Sequence, residues 1–148
     1  DAAARLDAIT SRPDPVPDGA QLTTQWKLGD DLGRRYAGVS GDRNPIHMHA
    51  LSAKAFGFPR AIAHGMWSQA RCLAQLESRT PDAVRTDASF GKPLFLPAKV
   101  GLALDEREGG EIGFALRDAR GRAKDGEPSP PTEHLLGVIR PPAPNATR

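Results

Sequence analysis

The stretch Gly65-Met66-Trp67-Ser68-Gln69-Ala70-Arg71-Cys72-Leu73-Ala74-Gln75-Leu76-Glu77-Ser78 decides the architecture. Its polar residues Ser68, Arg71, Gln75 and Ser78 recur near the 3.6-residue period, while Met66, Trp67, Ala70, Cys72, Leu73, Ala74 and Leu76 cover most of the remaining circumference. An apolar arc that wide predicts a helix largely enclosed by other structure. After Pro81 the period changes. Val84 to Phe90, Ala98 to Leu104, Glu111 to Leu116 and His134 to Ile139 read as strands, with Gly109-Gly110 as a hairpin turn between the second and third. Asp118 to Pro131 is polar and rich in Pro and Gly, and reads as a long loop. Upstream, Leu22 to Leu28 contains Thr23, Thr24 and Trp26 and reads as a first strand. Asp30 to Val39 reads as a short helix, broken by Ser40-Gly41-Asp42. Asn44 is a good N-cap, Pro45 suits the first helical position and Gly57 supplies a stop. These signals predict a helix from Pro45 to about Phe56, with Ile46, Ala50, Ala53 and Phe56 facing inward. One strand, then helices, then a run of antiparallel strands predicts an α+β fold with one long helix against a sheet.

At 148 residues the chain holds one core. The domain is placed at residues 21–140, between a Pro-rich N-terminal arm or linker over 1–20 and a tail over 141–148. Ala2 to Ile9 reads as a short helix, after which Pro13, Pro15 and Pro17 impose an extended path. The chain starts at Asp1 without Met, which reads as a processed product or a piece of something longer. Twenty basic residues nearly balance eighteen acidic ones, with no Lys/Arg run and no interleaving of aromatics with cations, so no nucleic-acid partner is expected. The net charge of +2 suits a phosphorylated small ligand as well as it suits ordinary solubility. A single cysteine, Cys72, excludes an intrachain disulfide and a cysteine-rich zinc site, and fits a reducing cytoplasm. No apolar run reaches spanning length and the N-terminus lacks signal-peptide order, so no membrane association is expected.

The chemistry concentrates between Tyr36 and Met66, which holds three of the four histidines. Asp42 and His47 are five residues apart, out of alignment on one continuous helix. A helix starting at Pro45 changes this: Asp42 falls in the preceding loop and His47 on the first turn, so a folded-back turn can bring both to one pocket. A carboxylate that accepts from water beside an imidazole that titrates near neutrality is a good water activator. The alternative is that Asp42 caps the helix and His47 fills a semi-polar surface. Gly65 opens the enclosed helix, where its N–H is an unpaired donor able to hold a developing oxyanion, or where it only lets the chain turn tightly. His47, His49 and His64 invite a metal reading, but residues two apart on a helix point to opposite sides, and no acidic or Cys ligand at second-site spacing completes a set; no metal is expected. Cys72 reads as a small core residue, and His134 as structural.

Tyr36-Ala37, Ser40-Gly41-Asp42-Arg43-Asn44-Pro45-Ile46-His47, Gly57-Phe58 and Ile62-Ala63-His64-Gly65-Met66 together resemble the signature of the MaoC-like dehydratases, the (R)-specific enoyl-CoA hydratases of the hot-dog fold. The likeness continues more weakly through Phe90-Gly91-Lys92-Pro93-Leu94-Phe95-Leu96-Pro97 to Ile139. The resemblance implies an antiparallel sheet wrapped around the Gly65–Ser78 helix, and a homodimer or pairing with a second hot-dog unit. It implies hydration of trans-2-enoyl-CoA to (3R)-3-hydroxyacyl-CoA, or the reverse dehydration, with Asp42 and His47 activating one water and the Gly65 N–H holding the thioester oxygen. Asn44, His64 and Met66 fall to substrate binding. The substrate is an acyl-CoA or acyl-carrier-protein thioester, and no cofactor is implied beyond the CoA that belongs to the substrate. Two other readings of the same chain are a non-catalytic acyl-CoA-binding subunit and a hot-dog thioesterase. The Pro-rich arm and the absent Met fit the second half of a protein with two hot-dog units.

Overall fold

A computed structural model describes residues 12–119, 123–124 and 127–142, with only the backbone at 123–124 and 127–128. The expected helix at Ala2 to Ile9 and most of the tail lie outside these residues.

The order of elements is β1 (Leu22–Leu28), α1 (Leu32–Ser40), α2 (Pro45–Met48), α3 (Ala50–Ala55), α4 (Gly65–Leu76), β2 (Arg85–Phe90), β3 (Ala98–Glu106), β4 (Ile112–Asp118), β5 (Ala123–Lys124), β6 (Glu127–Pro128) and β7 (Glu133–Arg140). Five strands form one antiparallel sheet in the order β1-β3-β4-β7-β2, wrapped over α4. The fold is the hot dog that the resemblance implies. β3 and β4 join through a 3-10 turn at Glu108–Gly110, where Gly109 and Gly110 take φ of 73° and 76°, values that favour glycine. The span expected as a plain loop carries a small ladder, β5 against β6.

The core lies between sheet and helix. Leu102, Phe114, Leu116 and Leu135 from the sheet cluster with Cys72 and Leu76 of α4, and Leu28 and Leu32 belong to the same cluster. Gly137 lets the central strands pack so closely, since a Cβ there would stand 2.2 Å from the Phe114 ring. The opposite face of the sheet is also covered. Ala103, Ala115 and Leu136 form a second cluster with Val16, which is 1% exposed. The arm is therefore strapped to the sheet. Arg117, 2% exposed, donates to the carbonyls of Val16 (2.6 Å) and Pro17 (2.9 Å), and Arg107 donates to those of Asp14 (3.0 Å) and Pro15 (3.3 Å). Burying one valine contributes about 1.5–2 kcal/mol, and the two guanidiniums satisfy carbonyls that lie outside any ladder.

Two expectations need correction. First, α4 is enclosed on one side only. Ser68, Cys72 and Leu76 form a buried stripe at i, i+4 and i+8, while Met66, Ala70 and Ala74 are exposed. A single five-stranded sheet covers one side of a helix, and Ser68, expected on the polar face, shares the stripe that faces it. Second, the helix expected from Pro45 to Phe56 is two helices, α2 and α3, separated by His49 in extended geometry (φ −149°, ψ 154°). The carbonyls that would continue it are taken elsewhere. Pro45 O accepts from Ser52 Oγ (2.7 Å), Ile46 O from the Ile62 N–H (3.1 Å) and Met48 O from Arg34 (2.9 Å). The break turns Ala50 and Phe56 outward, and of the four inward candidates only Ala53 is fully buried. Gly57 stops α3 as expected: at φ 87° it lets the N–H groups of Gly57 and Phe58 bond back to Lys54 and Ala53.

Candidate active site

Between α1 and α2 the chain is built from consecutive side-chain caps. Gly41 ends α1 at φ 77°, its N–H bonded to Ala37 O (3.0 Å). The Asp42 N–H then donates to Ser40 Oγ (3.2 Å), the Asn44 N–H to Asp42 Oδ1 (3.1 Å) and the Ile46 N–H to Asn44 Oδ1 (3.3 Å). Short polar side chains stand in for backbone partners in this way at turns and helix starts. The Asp42 carboxylate is thereby held at the loop while Pro45 launches the single turn that carries His47. Gly33 of α1 seats that turn: a Cβ there would lie 1.8 Å from the His47 carbonyl oxygen.

His47 is buried. Its Nδ1 lies 2.7 Å from Ile62 O. A carbonyl only accepts, so Nδ1 carries the proton and Nε2 keeps a lone pair. Burial lowers the His47 pKa below the ordinary 6.5, aided by the neighbouring His64; the bond to Ile62 and the Asp42 charge pull the other way without reversing it. His64 is also buried, and its Nε2 donates to the Asp42 backbone carbonyl (2.9 Å) with the Asp42 carboxylate 3.7 Å away. The two imidazoles stack, centroids 3.8 Å apart, and the Tyr36 ring meets His64 edge-on at 4.9 Å. Among the described residues His64 Nδ1 has no hydrogen-bond partner.

The segment before α4 is stitched in place. Ile62 bridges Phe95, the Ala63 N–H donates to Leu94 O (2.9 Å) and the Leu96 N–H to Ala61 O (2.8 Å). This pairing delivers His64 to the stack and Gly65 to the first position of α4, an N-terminus without a side-chain cap. His47, Gly65, Ser68, Phe90, Leu94 and His134 line a cleft of about 200 Å³. The Phe90 ring lies over Gly65, so that a Cβ at Gly65 would sit 2.8 Å from it.

The structure thus brings Asp42, His47 and His64 together, one polar atom from each within 4.8 Å of the others. One water bonded to two groups spans about 4.5 Å between them, comparable to the 4.8 Å within which these polar atoms lie. The sequence spacing had offered no acidic third ligand beside the histidines, and the fold supplies one in Asp42. Because the rings stack 25° from parallel, their in-plane lone pairs lie in two nearly parallel planes and do not readily converge on one ion. Gly65 shares the cleft with His47; the half-exposed Asp42 carboxylate is not among the residues that line it. Asn44 is an exposed N-cap, and Met66 is exposed beside Gly65. His64 sits in the stack rather than along the cleft wall. Sequence reasoning overlooked Ser68 and Phe90 as cleft residues. Ser68 left a signal, a hydroxyl four residues before Cys72 and eight before Leu76 on what proves to be the buried stripe. Phe90, at the end of β2, left none.

The chain is similar to known proteins in both sequence and fold. A family model described as MaoC like domain matches residues 10–123. The chain is 56% identical over 96 residues to 3-hydroxyacyl-thioester dehydratase X of Mycobacterium tuberculosis, covering 65% of this chain and 32% of that protein. The crystal structure of HtdX from the same organism superposes with a TM-score of 0.68 at 40% identity, over 80% of this chain and 47% of that one. The R-hydratase PhaJ1 of Pseudomonas aeruginosa superposes with a TM-score of 0.55 at 25% identity, over 81% and 77%. The chain therefore spans about a third of that curated relative and about half of the HtdX chain.

Proposed function

Because the chain belongs to the MaoC-like domain family, we propose that it adds water across a trans-2-enoyl thioester to give the (3R)-3-hydroxyacyl thioester, and catalyses the reverse dehydration. One observation carries the reading: an Asp42 carboxylate oxygen lies within 4.8 Å of a ring nitrogen of His47, whose tautomer is set by Ile62. The activity in the names of its relatives supports it.

Asp42 accepts one hydrogen bond from the water and orients it. His47 Nε2, neutral at pH 7 because burial lowers its pKa, takes the other proton as the oxygen bonds to C3. The C2–C3 π electrons move onto the thioester carbonyl as an enolate. The Gly65 N–H, at the positive end of α4, holds that oxygen, a contact worth about 3 kcal/mol. The proton on His47 then passes to C2, and the neutral imidazole returns. His64 holds the Asp42 loop through its carbonyl and supports the His47 ring by stacking, so its role is positioning. Asn44 acts through the cap that aligns α2, and Met66 supplies apolar surface beside Gly65. The reaction requires neither a metal nor a redox cofactor.

The acyl tunnel is completed by a second hot-dog unit, either another copy or a unit of the same longer chain. The exposed face of α4 at Met66, Ala70 and Ala74 supports this, as do the edge of β2, paired only with β7 among the described residues, and exposed Val84 and Phe90 at its ends. No helix among the described residues is long and apolar enough to cross a membrane; a buried free thiol at Cys72 suits the cytoplasm.

The test is hydration of crotonyl-CoA, followed by loss of the enoyl absorbance, with the product's configuration determined. Formation of the 3R alcohol is expected. Release of free thiol without hydration would replace the reading with a thioesterase, and tight binding with neither reaction would replace it with a scaffold.

A further inference from the structure

The catalytic cleft has a neighbour. Lys92, Pro93, Leu94 and His134 line it, and the same four residues line a second, larger cleft of about 370 Å³. They form a ridge between the two, and the ridge is stitched to the start of β7. The Lys92 N–H donates to Glu133 O (2.9 Å), the Gly91 N–H to His134 O (2.9 Å), and His134 Nδ1 donates to Lys92 O (2.9 Å).

The second cleft is cationic. Arg60, Lys92 and Lys99 line it against one carboxylate, Asp118. None of the three cations has an ion-pair partner among the described residues. That contrasts with the outer face of the sheet, where Arg107 pairs with Asp105 and Glu111, and Arg140 with Glu111 and Asp87. Arg60 is held over the Phe95 ring, 5.8 Å from its centroid, a contact that leaves the edge of the guanidinium free to donate. Lys99 is half-buried at the start of β3, where a lone ammonium raises the local potential more than one in open water. In a chain of net charge +2, three unpaired cations around one concavity is a local excess.

We propose that this cleft binds a phosphate ester on the carrier of the thioester substrate, and that Arg60, Lys92 and Lys99 set the preference for phosphorylated carriers. The inference rests on the hydratase reading of the adjoining cleft. A thioester lying there sends its acyl chain one way and its pantetheine arm the other. The arm ends in a phosphate ester whether the carrier is CoA or a carrier protein. Arg supplies a planar fork and Lys a point charge, the two usual ways of holding phosphate.

Arg60 and Lys99 line only the second cleft, so the Arg60→Gln/Lys99→Gln double variant tests it. The substrates are crotonyl-CoA, crotonyl-phosphopantetheine and crotonyl-pantetheine. Loss of two charge-assisted contacts is expected to raise KM for crotonyl-CoA about tenfold or more, with kcat little altered. The kcat/KM preference for crotonyl-CoA over crotonyl-pantetheine falls by the same factor. Lys27→Gln, an exposed charge on β1, controls for net charge and keeps that preference. Lost preference for phosphopantetheine as well places the arm's phosphate in the cleft; loss for CoA alone places the nucleotide's phosphates there. Equal losses on all three substrates, or no loss on any, overturn the proposal. Calorimetric binding of unacylated CoA separates the two readings. Affinity weakened about tenfold in the double variant supports the cleft even if no thioester is hydrated. Unchanged affinity, or no CoA binding by the wild type, overturns the cleft even if hydration is observed.

Discussion

The imidazoles of His47 and His64 stack with their centroids 3.8 Å apart and their planes 25° apart. Burial, aided by the adjacent His64 ring, lowers the His47 pKa below 6.5. The neutral ring is the base, so kcat/KM is expected to rise with pH through a midpoint below 6.5 and then level off. Stability follows the same sign. Between 6.5 and the lower folded value, the unfolded chain binds more protons, so the His47 contribution is full above 6.5 and is lost as pH falls through that window. A pH–rate profile with denaturant melts at matched pH checks both. A midpoint above 6.5 would contradict the assignment.

His64→Phe keeps a flat ring in the stack and removes the bond to the Asp42 carbonyl. The Asp42 loop should loosen while the cleft keeps its lining. A fall in kcat of about tenfold is expected, with a smaller change in KM, in line with one positioning hydrogen bond. Steady-state kinetics on crotonyl-CoA measures the split.

Gly33→Ala would place a Cβ 1.8 Å from the His47 carbonyl oxygen. The carbonyl belongs to backbone and cannot swing aside, so α1 and α2 must separate. A loss of about 2–4 kcal/mol is expected, in the range of overpacking in a tight contact. Gly65→Ala differs, because its Cβ would meet the edge of the half-exposed Phe90 ring, which can turn away. Chemical denaturation should rank Gly33→Ala as the more damaging of the two.

Arg117→Met removes the buried guanidinium that holds the Val16 and Pro17 carbonyls and faces Glu133. The Val16 carbonyl loses its partner, Glu133 keeps only Arg12 and Pro17 O only the Ala20 N–H, and the arm loses its clamp. A loss of about 3 kcal/mol is expected. Hydrogen exchange should show Ala20, whose N–H bonds to Pro17 O, becoming less protected.

What was legible in the sequence is what local chemistry decides. β1 occupies Leu22–Leu28 as expected, since its alternation of side chains is a property of the strand itself. The cap at Asn44, the start at Pro45 and the stop at Gly57 are likewise made by neighbours in sequence. The break at His49 was not legible, because Arg34 and Ile62 cause it from other elements. The same holds for the stack. His47 and His64 are seventeen positions apart, and the pairing of residues 61–63 with 94–96 closes that gap. Val16 followed the same logic: its prolines announce a path but not the sheet face on which that path lies.

Asp42→Asn and His47→Gln, made singly and together, test most directly whether the two side chains share one water. Each single variant should remain folded and lose about 10²–10⁴-fold in kcat for crotonyl-CoA hydration. The double variant should lose little beyond the worse single one, because groups that act on one water act as a unit. Near wild-type turnover in either folded single variant, or losses that multiply in the double, would contradict a shared water between Asp42 and His47.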